Sequence, residues 1–142
     1  MVRKASLLLI AGLIQVLAFG AETGDKSLKL ENASAEYTDN TLTVSTGKIE
    51  RQWIWTGGGW STTALTDLEN GKDYADPSIE GRNDWNLPGL ISDSTLGELL
   101  DVEMRIDDDE GFTSRHIEVV STIRYPDAKL ELQQVIWVYP GM

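Results

Sequence analysis

The chain has 142 residues, 41% hydrophobic and 25% charged, proportions that exclude a disordered, collagen-like or coiled-coil protein. Twelve Lys and Arg stand against 23 Asp and Glu, a net charge of −11, which argues against nucleic acid as the main partner. With no cysteine, disulfides, cysteine nucleophiles, thiolate zinc sites and iron–sulfur clusters are all excluded.

Arg3 and Lys4 open the chain, Leu7 to Gly20 is apolar except for Gln15, and Ala18-Phe19-Gly20 ends in small residues. These are the three parts of a secretory leader, with cleavage expected before Ala21. The apolar run of about fourteen residues is shorter than the roughly 20 a membrane-spanning helix needs. The mature protein is thus expected to be secreted or periplasmic, with no membrane attachment after cleavage. Loss of the leader leaves ten basic residues against 23 acidic ones, a net charge of −13. Without disulfides, the remaining 122 residues must hold together by core burial.

Residues 21–34 are polar and weakly patterned and are expected to form a flexible lead-in, with the folded domain spanning 35–142. Asn32-Ala33-Ser34 fits a glycosylation sequon, relevant only in a eukaryotic host. Beyond it the pattern has period two. Leu42, Val44 and Thr46 alternate with Thr41, Thr43 and Ser45; Ile49, Arg51, Trp53 and Trp55 share a face of the next strand. Trp60 to Leu68 reads as a further strand, and Asn70-Gly71 as a tight hairpin turn. Asp73 to Thr95, with Pro77, Gly81, Pro88 and Gly89, reads as a long loop, a feature that usually serves a site or an interface.

The last third is a meander. Leu100, Val102, Met104 and Ile106 line one face of its first strand. Ile117, Val119, Ser121, Ile123 and Tyr125 line the second, and Leu130, Leu132, Gln134, Ile136 and Val138 the third. No convincing helix follows the leader. The expected fold is all-β, an antiparallel sandwich of two packed sheets. The third meander strand is apolar on one face and has no partner after it, a hazard that complete proteins blunt; the reading frame is therefore expected to be a fragment whose sandwich is incomplete at its C-terminus.

Leu42-Thr43-Val44, Gly47-Lys48-Ile49-Glu50-Arg51, Ser61 to Leu68, Gly71-Lys72 and the closing Leu132 to Gly141 together resemble the N-terminal β-sandwich of alpha-galactosidases of glycoside hydrolase family thirty-six and their relatives. The resemblance covers about Tyr37 to Met142. It implies a galactose-mutarotase-like supersandwich that packs on a catalytic (β/α)8 barrel, and that barrel is not part of this sequence. No catalytic residue carries over, and the chain alone is expected to be inactive. The Gly57-Gly58-Gly59 insertion and the loop around Pro88 match nothing in the family pattern.

Four residues are the candidate carbohydrate contacts. Trp60, after the three glycines, and Trp85, in the long loop, offer stacking faces; Arg82 and Asp84 offer hydrogen bonds to sugar hydroxyls. Core packing competes with this for each Trp, and for Trp53 and Trp55 it is preferred. Asp107 to Glu110 lacks calcium-loop spacing and reads as a solvated hairpin tip. His116, the single histidine, lies opposite Ile117, facing solvent or a second sheet, and cannot form a transition-metal site alone. No metal or other cofactor is expected; a galactoside-type carbohydrate is the expected ligand. The competing readings are a free-standing secreted carbohydrate-binding module and a structural sandwich with no sugar ligand.

Overall fold

The computed structural model describes residues 24–111 and 115–142, which form nine strands and two short 3₁₀ turns. The leader expected over residues 1–20, with its cleavage site, lies outside the described residues. Among the described residues no helix is long and apolar enough to cross a membrane.

The strands are β1 (Lys26–Leu30), β2 (Ala33–Thr38), β3 (Thr41–Ser45), β4 (Ile49–Trp55), β5 (Trp60–Asp67), β6 (Lys72–Asp73), β7 (Glu98–Asp107), β8 (His116–Tyr125) and β9 (Leu130–Val138). They form two antiparallel sheets, β1 to β6 in sequence order and β7-β8-β9. The fold is all-β and its two layers pack as a sandwich, β1 over β7 and β8, and β2 over β8 and β9.

The expected flexible lead-in over 21–34 is corrected, because Lys26–Leu30 is a strand and Ala33 begins the next. Leu28 and Leu30 alternate with polar residues, as do Ala33, Ala35 and Tyr37, so both strands have an apolar side to bury. Asp39 and Asn40, which join β2 to β3, both adopt positive φ (48° and 62°), the type I′ geometry that matches strand twist. The two small alanines hide this signal, since period-two patterning is read mainly from large side chains.

The core fills the gap between the sheets. Leu30, Ala33, Ala35, Tyr37, Leu42, Val44, Trp53 and Trp60 come from the larger sheet; Val102, Ile117, Val119, Ile123, Tyr125 and Val138 from the smaller. The last three strands form the expected antiparallel meander, with Val119 opposite both Met104 and Ile136. A bulge between Leu99 and Asp101 brings Leu99 opposite Ile123 and onto the core side. Ile49 and Ile106, at strand ends, are exposed despite their predicted buried faces. Among the described residues β9 pairs with β8 alone, and Gly141 N–H donates to Thr46 O at 2.8 Å on the β3–β4 connection.

Six strands in one layer and three in the other leave part of the larger sheet without a facing strand. The long loop supplies its cover, with Trp85, Leu87 and Ile91 packed into the common core. This loop and the sheet beneath it frame the candidate site.

Candidate functional site

Asp84 anchors the loop. Its backbone N–H donates to Trp60 O at 2.8 Å, and Oδ1 accepts the Thr62 N–H at 2.8 Å, so Asp84 caps the edge of β5 where β6 does not reach. Oδ2 accepts from the Thr62 hydroxyl at 2.6 Å, from Arg51 Nη2 at 2.7 Å and from Trp53 Nε1 at 2.9 Å. The Arg51 guanidinium also lies over the Trp53 ring, 4.6 Å from its centroid. The Asp84 side chain is only 15% exposed. With both oxygens occupied by protein donors, Asp84 holds the loop and is not a free hydroxyl-binding group.

The triple glycine is the second anchor. A Cβ on Gly58 would sit 2.3 Å from Thr95 O, and one on Gly59 would sit 2.7 Å from Asn83 Cγ, so loop and turn meet closer than any side chain permits. Gly57 O accepts the Gly97 N–H at 2.9 Å, and Gly58 O accepts the Tyr125 hydroxyl at 2.9 Å. The Thr56 hydroxyl donates to Asn83 Oδ1 at 2.9 Å. The insertion that matches no family pattern is therefore a close-packed junction between the larger sheet, the loop and β8.

The expected carbohydrate contacts separate in two. Trp60 is corrected: it is 0% exposed, its ring edge-on to Tyr37 at 6.2 Å and to Trp55 at 5.5 Å. Its strand position places it on the core side beside Trp53, and the preceding glycines hold it there. Trp85 is half-buried against Tyr125 (6.3 Å) and donates its indole N–H to Gln134 Oε1 at 3.1 Å. It packs the loop onto β8 and β9, the bland alternative weighed for it.

Arg82 and Asp84 do come together, with Arg51, Thr62, Leu65, Tyr74, Asp76, Ile79, Asn83, Asn86 and Asp93, around an open cleft of about 580 Å³. Arg82 is exposed and enters no ion pair among the described residues. The aromatic of the cleft is Tyr74, exposed, with Lys72 Nζ 4.5 Å from its ring centroid. Sequence reasoning missed Tyr74; its place directly after the Asn70-Gly71 hairpin was the available signal.

Two carboxylates at or beside the cleft, Asp76 and Asp73, are shifted toward their charged forms. The Ser78 N–H, bonded to Asp76 Oδ1 at 2.9 Å, lowers the Asp76 pKa below its ordinary value. Asp73, at the cleft margin, is lowered in the same way by the N–H groups of Ala75 and Leu65. Asp93 Oδ1 accepts the Asn83 N–H at 3.1 Å and shapes the loop. Glycoside hydrolysis needs one carboxyl kept protonated by a raised pKa, opposite to the direction at Asp76 and Asp73.

His116 is also placed differently from a solvent-facing residue. It points to the outer face of the smaller sheet yet is 1% exposed, its ring 5.2 Å from Trp137 and 4.9 Å from Tyr139. Within the acidic run, Asp107 pairs with Arg105 at 3.3 Å. Among the described residues no three His, Asp or Glu side chains converge on a point fit for a metal ion.

Comparison of the chain with protein-family models, with curated proteins and with solved structures finds no match.

Proposed function

We propose that the protein is a non-catalytic β-sandwich that binds carbohydrate in the cleft between β4–β5 and the long loop. The observation that carries this reading is the composition of the cleft: an exposed tyrosine ring beside an exposed arginine that enters no ion pair among the described residues, with the side-chain amide of Asn86 nearby. A pyranose has apolar C–H faces and hydroxyl edges, and needs this pairing of a ring with convergent polar groups. The Ser78 N–H lowers the Asp76 pKa, and both Asp84 oxygens are occupied by protein donors, which favours holding a ligand over protonating one.

The sequence resemblance to alpha-galactosidase-like glycoside hydrolases supports a galactoside as the ligand, with the chain acting in export beside a catalytic barrel encoded downstream. Isothermal titration of the protein with galactose, raffinose and galactomannan tests the binding. Expected is saturable binding weakened about tenfold by Arg82→Ala and by Tyr74→Ala, one contact each. Binding of none of the three, or binding indifferent to both substitutions, would overturn the cleft assignment. Reading the frame beyond Met142 tests the pairing with a barrel.

A further inference from the structure

The outer face of the smaller sheet carries an arrangement that stability alone does not explain. Sheet faces turned to water normally carry loosely held polar side chains. Here His116 and Glu118 are 1% and 8% exposed on that face, although burying ionisable groups costs free energy. What they support is Trp137. Its indole N–H donates to Glu118 Oε2 at 2.9 Å, and its ring rests 5.2 Å from the His116 ring. Glu118 is pinned in turn by the Arg105 guanidinium, which also pairs with Asp107. The result is a tryptophan fixed at its edge and from behind, yet 49% exposed.

The ring has neighbours suited to a ligand with both apolar and hydroxyl surfaces. Val135, exposed, shares the outer face one pleat along β9, and Gln133 follows it. Glu103 lies across the sheet from Val135, through Val120. The face as a whole carries Glu98, Asp101, Glu103, Asp107, Glu118 and Glu131 against Arg105 and Arg124. This acidity opposes pairing of two copies through the face, whereas a neutral polyol meets no such repulsion.

We propose that Trp137 is a stacking platform for a neutral pyranose ring, a second carbohydrate-binding surface separate from the loop cleft. The fixed indole removes the ordering cost of the aromatic contact, and Gln133, Glu103 and Arg105 are the nearby groups for sugar hydroxyls. An extended polysaccharide suits an open face of this kind better than a single sugar.

The test follows the indole N–H signals of the five tryptophans by two-dimensional NMR during titration of the whole protein with cellohexaose and, separately, galactomannan. Trp137→Phe assigns the Trp137 signal. The expected result is a saturable shift of that signal, retained in Arg82→Ala, and about tenfold weaker binding in Trp137→Ala. Three results would each overturn the proposal: no shift with either glycan, a shift abolished by Arg82→Ala, or a shift that follows protein concentration without glycan, as pairing of copies requires. Should Trp137→Ala not fold, the wild-type titration decides alone. Failure of the cleft reading leaves the Trp137 shift unaffected, so the two are separable.

Discussion

The Tyr125 hydroxyl of β8 donates to the Gly58 carbonyl at 2.9 Å, a buried bond between the smaller sheet and the triple-glycine turn of the larger. It ties the two layers together, and both partners are buried. Tyr125→Phe keeps the ring and removes the bond. The expected cost is about 1–2 kcal/mol, seen as a lower urea midpoint with an unchanged m-value.

The same tyrosine predicts an alkaline limit. Burial raises the Tyr125 pKa above its ordinary value of 10.0. The folded state therefore holds this proton more tightly than the unfolded state does. The contribution is complete below about pH 10 and is lost as pH rises through the folded value. As pH rises above about 10, wild type should lose stability more steeply than Tyr125→Phe. Parallel curves for the two proteins in denaturant titrations across that range would contradict this.

Asp84 makes the largest single polar contribution in the loop. Asp84→Ala removes the acceptor of the Trp53 indole N–H and of the Thr62 N–H and hydroxyl, while Arg51, partly exposed, keeps its bonds to Thr62. A loss of about 1–3 kcal/mol is expected, most of it from the hydrogen bonds to Trp53 and Thr62. Asp84→Asn keeps the shape and some of the bonds and should lose less. Because the loop is bound to β5 through this residue, limited proteolysis of Asp84→Ala should cut within 74–97 before any strand.

The three glycines should respond in an order set by what each faces. Gly58→Ala places a methyl against the Thr95 backbone oxygen, which cannot turn aside. Gly59→Ala meets the Asn83 side chain, which can rotate only by giving up its bond to Thr56. At Gly57 there is open space, and the cost is that of a positive φ of 90° in a residue with a Cβ. Thermal denaturation should rank Gly58→Ala as most damaging, then Gly59→Ala, then Gly57→Ala at about 1–2 kcal/mol.

The legibility of this fold in its sequence varied with the size of its side chains. β7, β8 and β9 carry Leu, Val, Met, Ile and Tyr at alternate positions, so the strands and their buried faces were readable, except at Leu99–Leu100, where a bulge shifts the alternation, and at Ile106, exposed near the strand end. β1 and the first two residues of β2 fall in the segment 21–34 that reads as a lead-in, because polar residues flank Leu28 and Leu30 and the core side of β2 begins with the small Ala33 and Ala35. The long loop was readable as a loop from its Pro and Gly content, but not its role. An aromatic residue in a polar segment has the same pattern whether it stacks on a ligand or plugs a core. Trp85 plugs the core because the larger sheet outspans the smaller, a mismatch in strand number that no local pattern encodes. Of the cleft, Arg82 and Asp84 were legible from loop chemistry, while Arg51 and Tyr74 arrive by folding.

The Lys26–Asp101 pair shows how a surface-edge contact can report on sheet pairing. Lys26 Nζ lies 2.6 Å from Asp101 Oδ1 and 2.7 Å from Val102 O, joining the edge strand of one sheet to that of the other. The Lys26 ammonium hydrogen bond holds the Asp101 pKa below its ordinary value of 3.8. A depressed folded pKa contributes stability above the unfolded value that is lost as pH falls through the folded one. Both side chains are more than a third exposed, so solvent screens the pair and its contribution stays below about 1 kcal/mol. Asp101→Asn should therefore be slightly less stable than wild type at pH 7, and the gap should close on acidification below about pH 4. Salt separates this pair from Asp84: 1 M NaCl should narrow the Asp101→Asn difference, because exposed charges lie within reach of counterions, while most of the Asp84→Ala deficit persists, because its bonds to the Trp53 indole and the Thr62 groups are between a charge and neutral donors.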